Sequence, residues 1–425
     1  MALIIQKFGG TSVGTLEKMR NVARCAIQAH ENGDQVVMIV SAMSGETNRL
    51  LKLAHEIAEV PDSRELDALA ATGEQVSAAL VAMTLQKMGA RAQSFLGHQI
   101  RVHTDGAFTK ARIRTIDGTR LKETVQEGKI AVVAGFQGVD SRGNITTLGR
   151  GGSDTTAVAI AAAIEADVCE IYTDVDGVYT TDPNMCPTAR KIARIAYEEM
   201  LELASLGAKV LQIRSVEVAM KYGVAIHVRS SFSDRPGTMV VGEEDLESVT
   251  VTGVAYDKSE ARVQLIGVPD KPGTVAGVFK LLSDNHVSVD MIIQSASSGS
   301  GETTEVTFTV NETDLARVKG LIEAHMDSLG GGTSVEYDSD IAKVSIVGLG
   351  MRSHAGVASK MFSILADEGI NISAISTSEI KVSCLISAKY TELAVRSLHD
   401  GFGLDKLAQT NPPPNKQGRK IRQSS

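Results

Sequence analysis

The sequence predicts an α/β protein in which a mainly parallel sheet, sandwiched by helices, is followed by a tandem repeat. At 425 residues the chain is too long for one compact core, so two or three domains are expected. Residues 1 to about 230 alternate short apolar runs with amphipathic segments, which is typical of a parallel sheet covered on both faces. Beyond residue 230, a pattern of strand, glycine turn, helix and strand occurs twice.

Composition and charge exclude several classes of protein. A hydrophobic content of 43% and a charged content of 22% are ordinary for a soluble globular chain, and a net charge of −8 argues against nucleic-acid binding. The first predicted strand begins at Ala2, which leaves no room for a signal peptide, and no apolar run is expected to reach membrane-spanning length. The four cysteines lack metal-ligand spacing, so we expect reduced thiols, a cytoplasmic protein and no protein-held metal.

Apolar periodicity places the elements of the first half. Short apolar runs predict buried strands at residues 3–8, 36–40, 130–134, 169–173 and 225–228. Helix-like spacing predicts helices at residues 15–32, 64–88, 153–166 and 214–222. Ligands of such sheets bind beyond the carboxyl ends of the strands, so the loops that follow strands are candidate sites.

The glycine-rich stretch from Thr147 to Thr156 is the strongest single candidate for a ligand site. Its glycines let the backbone approach a ligand, and the free N–H groups at a helix start attract anions. We expect Ser153 to cap the helix, Asp154 to lie in its first turn and Arg150 to donate to a carboxylate or phosphate. A capped helix after a flexible turn is the simpler reading, but the combination favours an anion site.

A second glycine-rich loop follows the first predicted strand. Gly9, Gly10 and Ser12 would form a backbone nest for phosphate oxygens, and Lys7 would supply a positive charge. The loop has neither the ending of a Walker A motif nor the Gly-x-Gly-x-x-Gly of a dinucleotide site. A tight strand-to-helix turn would explain the glycines but not the lysine.

Three further loops carry polar groups that are weak signals individually. Residues 40–48 present small and hydroxyl side chains that could line a pocket for a small polar substrate. Glu74 precedes an apolar helix, so it either satisfies the helix dipole or is a buried carboxylate that faces a substrate ammonium. Residues 174–183 combine three acids with a tyrosine, which suits either a solvated turn or a nucleotide and its magnesium shell.

Together these loops resemble the motif set of the aspartokinases, which belong to the amino acid kinase superfamily. The resemblance rests on five segments in order, at residues 7–12, 40–43, 72–74, 149–154 and 172–179. Any one of them is weak, but five in sequence are specific. The resemblance implies the amino acid kinase fold and transfer of the γ-phosphate of MgATP to the side-chain carboxylate of L-aspartate, which gives 4-phospho-L-aspartate.

The resemblance also implies roles for the matching residues. Those expected to bind aspartate are Ser41, Thr47, Glu74, Arg150 and Ser153. Those expected to bind the nucleotide are Lys7, Gly9, Gly10, Ser12, Thr173, Asp174, Tyr179, Asp182 and Lys209. Glu74 would meet the substrate ammonium and Arg150 its α-carboxylate, and Asp154 would orient Lys7 at the reacting centre. Mg²⁺ would be bound mainly through ATP.

The second half contains an internal repeat. Residues 261–267 correspond to residues 342–348, and the turn glycines Gly273 and Gly356 lie 83 residues apart. Each copy resembles an ACT domain, a ferredoxin-like βαββαβ module that binds amino acids between paired copies. The second copy has Ala355 where that family usually has proline.

The ACT resemblance implies feedback control by an amino acid. The residues expected to bind the effector are Asp270, Asp290, Gln294, Asn371, Ile372, Ser378 and Glu379. Lysine and threonine, singly or together, are the expected effectors, although the sequence does not choose between them or exclude another metabolite. Pairing of the modules implies a homodimer or a higher homo-oligomer. A ferredoxin-like repeat without a ligand is the alternative.

These expectations divide the chain into four parts. The catalytic domain takes residues 1–245, the first ACT domain 246–340 and the second 341–410, and residues 411–425 form a tail expected to be disordered. An extra strand at residues 249–256 precedes the first repeat and could complete the sheet of the second module.

Two other functions fit parts of the pattern. One is an amino acid kinase that acts on glutamate or N-acetylglutamate, which the pairing of Glu74 with Arg150 and the tandem ACT modules make less favoured. The other is a non-catalytic amino-acid sensor, which the intact Lys7, Glu74, Arg150 and Asp154 oppose. A dehydrogenase that carries ACT modules is excluded because the dinucleotide fingerprint is missing.

Overall fold

The computed structural model describes residues 1–206, 210–243, 250–296, 303–326 and 332–406. Three predictions lie outside these residues: the nucleotide role of Lys209, the domain boundary at residues 245–246 and the disordered tail at residues 411–425.

The first half alternates strands and helices, as predicted. Its strands are β1 (Leu3–Phe8), β2 (Gln35–Val40), β3 (Ala92–Phe95), β4 (Val102–Thr104), β5 (Ile113–Ile116), β6 (Ile130–Ala134), β7 (Gln137–Val139), β8 (Ile145–Thr147), β9 (Val168–Thr173), β10 (Arg194–Ala196), β11 (Ile226–Ser230) and β12 (Thr238–Val241). Its helices are α1 (Leu16–Glu31), α2 (Glu46–Ile57), α3 (Ser63–Ala70), α4 (Thr72–Lys87), α5 (Thr119–Gln126), α6 (Gly152–Ile164), α7 (Tyr197–Ser205) and α8 (Ile213–Tyr222).

Eight of these strands form one sheet in the order β10-β12-β11-β9-β1-β2-β6-β3. Neighbouring strands are parallel except for the antiparallel pair β11 and β12, so the prediction of a mainly parallel sheet is confirmed. Strands β4, β5, β7 and β8 form a separate four-stranded sheet.

Helices cover both faces of the main sheet because successive strand residues point to opposite sides. Ile5 and Val37 join a core with α5, α6, α7 and α8, whereas Phe8 and Met38 join a second core with α1 and α4. All four side chains are fully buried. Burial of such a side chain stabilises the fold by roughly 1.5–3 kcal/mol, so each core fixes the direction of the loops at the strand ends.

The run predicted as one helix at residues 64–88 is two helices, α3 and α4, separated at Ala71. Within the described residues, the stretch Ser63–Lys87 is long and apolar enough to cross a membrane by length and composition, so the expectation that no run reaches that length is wrong. Half of its apolar window is buried inside the protein, and Val81 and Leu85 pack in the core beside α1. Core helices pass the same test, so the finding is weak evidence for a membrane span.

The second half contains two modules with antiparallel sheets. Its strands are β13 (Gly253–Asp257), β14 (Glu260–Pro269), β15 (Val289–Ala296), β16 (Thr303–Asn311), β17 (Ser334–Asp338), β18 (Ile341–Val347), β19 (Ala374–Thr377) and β20 (Lys381–Ser387). Its helices are α9 (Thr274–Asp284), α10 (Leu315–His325), α11 (Val357–Asp367) and α12 (Thr391–Gly401). The sheet orders are β15-β16-β14-β17 and β13-β18-β20-β19.

The leading strand belongs to the sheet of the second module. β13 pairs antiparallel with β18, as β17 pairs with β14 in the first module. The second module is therefore built from two separate pieces of chain. Both turn glycines, Gly273 and Gly356, are left-handed with φ of 98° and 89°, so Ala355 does not alter the turn.

The second module is joined to the N-terminal part of the chain through a buried carboxylate. Glu199 of α7 accepts hydrogen bonds from the Thr252 hydroxyl at 2.5 Å and from the Leu349 N–H at 3.0 Å. Lys381 of β20 also pairs with Glu202 of α7 at 2.7 Å. The second module is therefore in direct polar contact with α7.

Candidate active site

A cavity of about 550 Å³ opens where β1, β2 and β8 end and α6 begins. Seven residues predicted for catalysis or aspartate binding line it together: Lys7, Ser41, Thr47, Glu74, Arg150, Ser153 and Asp154. A smaller cavity of about 240 Å³ shares Ser41, Thr47 and Glu74 and adds Gly10. The fold thus gathers side chains from four separate segments, as expected for the carboxyl edge of a parallel sheet.

An ion pair lies in the wall of the larger cavity. The Lys7 ammonium is 2.5 Å from a carboxylate oxygen of Asp154, and both side chains are about nine-tenths buried. Lys7 is held by the central strand β1, and Asp154 lies in the first turn of α6, where the helix dipole favours a negative charge. The pair fixes a lysine ammonium inside a largely dehydrated site.

The arginine-glycine loop at residues 147–152 leads into α6, but the N-cap of this helix is not the predicted residue. Ser153 is not the N-cap, because α6 begins at Gly152 and the capping position is Gly151, with φ of 70°. A Cβ at Gly151 would lie 1.9 Å from the Gln212 side chain, so the position requires glycine. Arg150 is exposed at the cavity, and no carboxylate among the described residues pairs with it.

Glu74 is a buried acid of the site whose pKa is strongly shifted. It is 4% exposed, and one carboxylate oxygen accepts a hydrogen bond of 3.0 Å from the Ala42 N–H. The other oxygen is buried and has no hydrogen-bond partner among the residues that the structure describes. Burial raises the pKa of Glu74 to about 7, and the hydrogen bond from Ala42 opposes this shift. A buried carboxylate oxygen without a partner can bind a positively charged group of a ligand.

The first glycine loop packs against the segment that carries Ser41. A Cβ at Gly10 would lie 2.8 Å from the Ala42 carbonyl oxygen, so a larger residue would displace that backbone. The Ser12 hydroxyl lies 2.6 Å from the Ser231 hydroxyl, which connects the loop to the end of β11. Gly9 and Ser12 are not among the residues that line the two cavities.

The other predicted nucleotide residues lie along the segment after β9. Thr173 donates to the neighbouring Asp174, which is exposed. Tyr179 donates to Asp176 at 2.6 Å, and burial raises its pKa to about 12. Asp182 accepts from the Tyr256 hydroxyl of β13 at 3.1 Å. Tyr179 and Asp182 line a separate cavity of about 710 Å³ between the N-terminal part of the chain and the second module.

The predicted effector residues lie in three places. Asp270 is exposed in the first turn, and Gln294 is exposed on β15. Asp290 also lies on β15, but with Glu260 it binds the buried Lys343 of the second module. Of the remaining four, Asn371 and Ile372 lie just before β19, and Ser378 and Glu379 lie in the turn between β19 and β20. β15 and β19 are edge strands that lie against each other within the chain.

Sequence reasoning missed several residues of the larger cavity. Asp67 is buried in α3 and carries no motif, and Asn48 lies one residue beyond a predicted one. Thr109 and Phe136 line the cavity with positive φ of 67° and 69°, which non-glycine residues rarely adopt. α3 also contains Ser63, Arg64 and Glu65, so nothing in the sequence distinguished Asp67 from its polar neighbours.

Comparison with known proteins identifies the family. The model of the amino acid kinase family matches residues 2–230, and models of the ACT domain match residues 263–325 and 344–402. The aspartokinase of Pseudomonas aeruginosa is 54% identical over 412 residues, which cover 96% of this chain and 99% of that protein. The chain belongs to the aspartokinase family. It is therefore an enzyme, an aspartate kinase, and the predicted fold class is confirmed.

Other aspartokinases agree with this assignment. That of Corynebacterium efficiens is 48% identical over 408 residues, covering 95% of this chain and 97% of the relative. The crystal structure of Escherichia coli aspartokinase III in complex with aspartate and ADP has a TM-score of 0.76. It is 26% identical and covers 94% of this chain and 99% of its own. The same enzyme in complex with lysine and aspartate has a TM-score of 0.77 at 26% identity over the same shares of both chains.

Proposed function

We propose that this aspartokinase transfers the γ-phosphate of MgATP to the side-chain carboxylate of L-aspartate, giving 4-phospho-L-aspartate and ADP. The observation that carries the proposal is the composition of the larger cavity. It contains a buried Glu74 carboxylate with one oxygen free of hydrogen bonds, an Arg150 with no carboxylate partner among the described residues, and the Lys7–Asp154 ion pair. The E. coli relative that was solved with aspartate and ADP supports the same pair of substrates.

The charges of the cavity match those of an α-amino acid. The free oxygen of Glu74 would accept the substrate ammonium, and the Arg150 guanidinium would bind the α-carboxylate through paired hydrogen bonds. Ser41, Thr47 and Ser153 would supply the remaining polar contacts. A ligand whose amino group is acetylated carries no positive charge to pair with the buried Glu74 carboxylate, which argues against an N-acetylated substrate.

The phosphoryl transfer needs positioning and charge neutralisation rather than a strong base. The nucleophile is an ionised carboxylate oxygen, which forms the new bond to the γ-phosphorus as the bond to the β-phosphate oxygen breaks and ADP leaves. Lys7 would neutralise negative charge on the transferring group, and Asp154 would hold Lys7 in place. The glycine loop at Gly9 and Gly10 would bring backbone N–H groups to the phosphates.

Magnesium would enter the site with ATP. No group of three or more His, Cys, Asp or Glu side chains in the described parts of the chain could hold a metal ion. Mg²⁺ usually keeps several waters and binds through one or two carboxylates and the phosphates of its nucleotide, so the residues present fit an ion carried by ATP. When bound, the ion supplies positive charge at the phosphates.

Feedback inhibition would act through the ACT modules on the nucleotide segment. The Thr180 hydroxyl lies 2.9 Å from the buried His399 of α12, and Asp182 accepts from Tyr256 of β13. A shift of the second module would therefore move residues next to Tyr179. Lysine, threonine or both would bind at the edges β15 and β19. The E. coli structure that contains lysine favours lysine, and subunit pairing through the modules would give a homodimer or higher oligomer.

Steady-state kinetics of two variants test the assignment of the aspartate site. Glu74→Gln and Arg150→Ala should raise the aspartate KM at least tenfold, because each removes a charged contact to one α-substituent. The ATP KM should stay within about twofold of wild type, since neither residue belongs to the predicted nucleotide set.

Exposed residues provide matched controls for these variants. Glu56→Gln on α2 and Arg142→Ala between β7 and β8 remove the same charges at exposed positions that do not line the cavity. Both controls should saturate with aspartate like wild type. Wild-type aspartate saturation in Glu74→Gln and Arg150→Ala would refute the site.

A further inference from the structure

Asp67 is a buried carboxylate whose hydrogen bonds all go to loops of the substrate cavity. It lies in α3 and is 1% exposed. One oxygen accepts from the Thr147 hydroxyl at 2.6 Å, and the other accepts from the Thr147 N–H at 2.8 Å and the Thr109 N–H at 2.9 Å. Three donors therefore converge on one side chain. Burial raises the pKa of Asp67, and these hydrogen bonds oppose that rise.

The two loops that Asp67 holds converge on Arg150. Thr147 begins the arginine-glycine loop, three residues before Arg150. The Thr109 carbonyl oxygen lies so close to Gly149 that a Cβ there would be 3.0 Å away. Thr109 has φ of 67°, a conformation that is strained for a β-branched residue and persists only where its surroundings enforce it. The hydrogen bond from the Thr109 N–H to Asp67 helps to hold Thr109 in this conformation.

The same loop is held on its other side by an arginine. Arg214 of α8 donates to the Leu148 carbonyl at 2.5 Å and to the Ala111 carbonyl at 3.1 Å. Asp67 thus accepts from backbone N–H groups, while Arg214 donates to backbone carbonyl groups of the same two segments. A loop that contains three glycines in four positions needs such fixation to hold its arginine in one place.

We propose that Asp67 is a positioning residue for aspartate recognition, which fixes the Thr147 and Thr109 segments so that Arg150 is presented to the substrate carboxylate. This inference rests on the proposed function for the identity of the substrate. Both oxygens of Asp67 are used by the loops, so Asp67 acts through Arg150 rather than by touching the substrate.

The chemistry of the three hydrogen bonds predicts different effects for two substitutions. Asparagine can accept from both N–H groups with its oxygen and donate with its amide to the Thr147 hydroxyl, so Asp67→Asn should keep the aspartate KM within about threefold of wild type. Asp67→Ala removes the acceptor of the Thr147 and Thr109 N–H groups and should raise the aspartate KM at least tenfold. The ATP KM should change less than twofold. Thr147→Val, which removes one hydrogen bond, should give an intermediate value.

Amide hydrogen exchange, measured by mass spectrometry, reports local opening of the two loops in the absence of substrate. Asp67→Ala should accelerate exchange in peptides that cover residues 105–112 and 147–152, whereas Asp67→Asn should not. Leu121→Ala, a fully buried change on α5 away from the cavity, controls for general destabilisation and should leave both peptides and the aspartate KM unchanged.

Each outcome decides the proposal. An unchanged aspartate KM and unchanged exchange in Asp67→Ala would overturn it. Equal damage in Asp67→Asn and Asp67→Ala would also overturn it, because the negative charge itself would then be required. A wild-type enzyme without aspartate-dependent activity would refute the proposed function, and the exchange data would still show whether Asp67 fixes the loops.

Discussion

Glu74→Gln should stabilise the folded protein more at high pH than at low pH, although it weakens aspartate binding. The pKa of Glu74 is raised from 4.5 to about 7 on folding, so the folded state binds this proton more tightly than the unfolded chain. Stability from this group is complete below pH 4.5 and is lost as pH rises through about 7. Glutamine has the same shape and does not titrate.

The magnitude follows from the two pKa values. Each unit of pKa difference corresponds to about 1.4 kcal/mol. The raised pKa of Glu74 therefore lowers the free energy of unfolding by roughly 3 kcal/mol at pH 8 and roughly 1 kcal/mol at pH 5, relative to a group that does not titrate. The stability of Glu74→Gln relative to wild type should therefore rise by about 2.5 kcal/mol between these pH values. Any constant difference between an amide and a carboxyl group cancels in this comparison.

Urea unfolding of both proteins at pH 5 and pH 8, followed by circular dichroism, measures this quantity. The chain has no tryptophan, so intrinsic tryptophan fluorescence cannot serve. Glu56→Gln, at an exposed position on α2, is the control and should show no comparable pH-dependent gain. A gain for Glu74→Gln that is the same at both pH values would refute the raised pKa and the burial argument behind it.

Three further predictions concern activity and regulation. Lys7→Ala should lose about a hundredfold or more in kcat, since it removes a charge-stabilising contact of roughly 3 kcal/mol; a folded variant that keeps over half of wild-type kcat would make Lys7 a turn residue only. The aspartate KM should rise as pH falls below about 7, because Glu74 becomes protonated; Glu74→Gln should lack this dependence, and a parallel rise in that variant would contradict it. Gln294→Ala and Ser378→Ala should lose inhibition by whichever of lysine or threonine inhibits wild type and keep the uninhibited kcat, because an effector acts only through its differential affinity for the inactive state; unchanged sensitivity, or a parallel loss of basal activity, would contradict the effector site.

Local patterns in the sequence were sufficient to predict features that depend on a single strand or helix. β1 and β6 have the predicted bounds, because continuous apolar runs suit strands that are buried on both faces. The helix predicted at residues 15–32 is α1, which begins at Leu16, and Thr15 is its N-cap and accepts from the Lys18 N–H. The sequence left open whether Glu74 is buried, and the structure shows it buried in the first turn of α4.

Long-range contacts were not predictable in the same way. Strands β4, β5, β7 and β8 have three or four residues each, which is too short for a periodic signal, and they pair across up to 36 residues. Asp67 bonds to residues 42 and 80 positions away, so no local pattern indicates its role. Ser153 was wrongly predicted as a cap, because Gly151 takes that position, where both its left-handed conformation and its close packing against Gln212 require glycine.

The most direct test of the proposed reaction is a comparison of acceptors in an ATP-dependent hydroxamate assay, with ADP release followed in parallel. We expect L-aspartate to give hydroxamate and ADP in equal amounts. L-glutamate, which is one methylene longer, and N-acetyl-L-aspartate, which has no ammonium for Glu74, should each react at least a hundredfold less efficiently in kcat/KM. Equal or better turnover of either alternative acceptor, or no turnover of aspartate, would contradict the account.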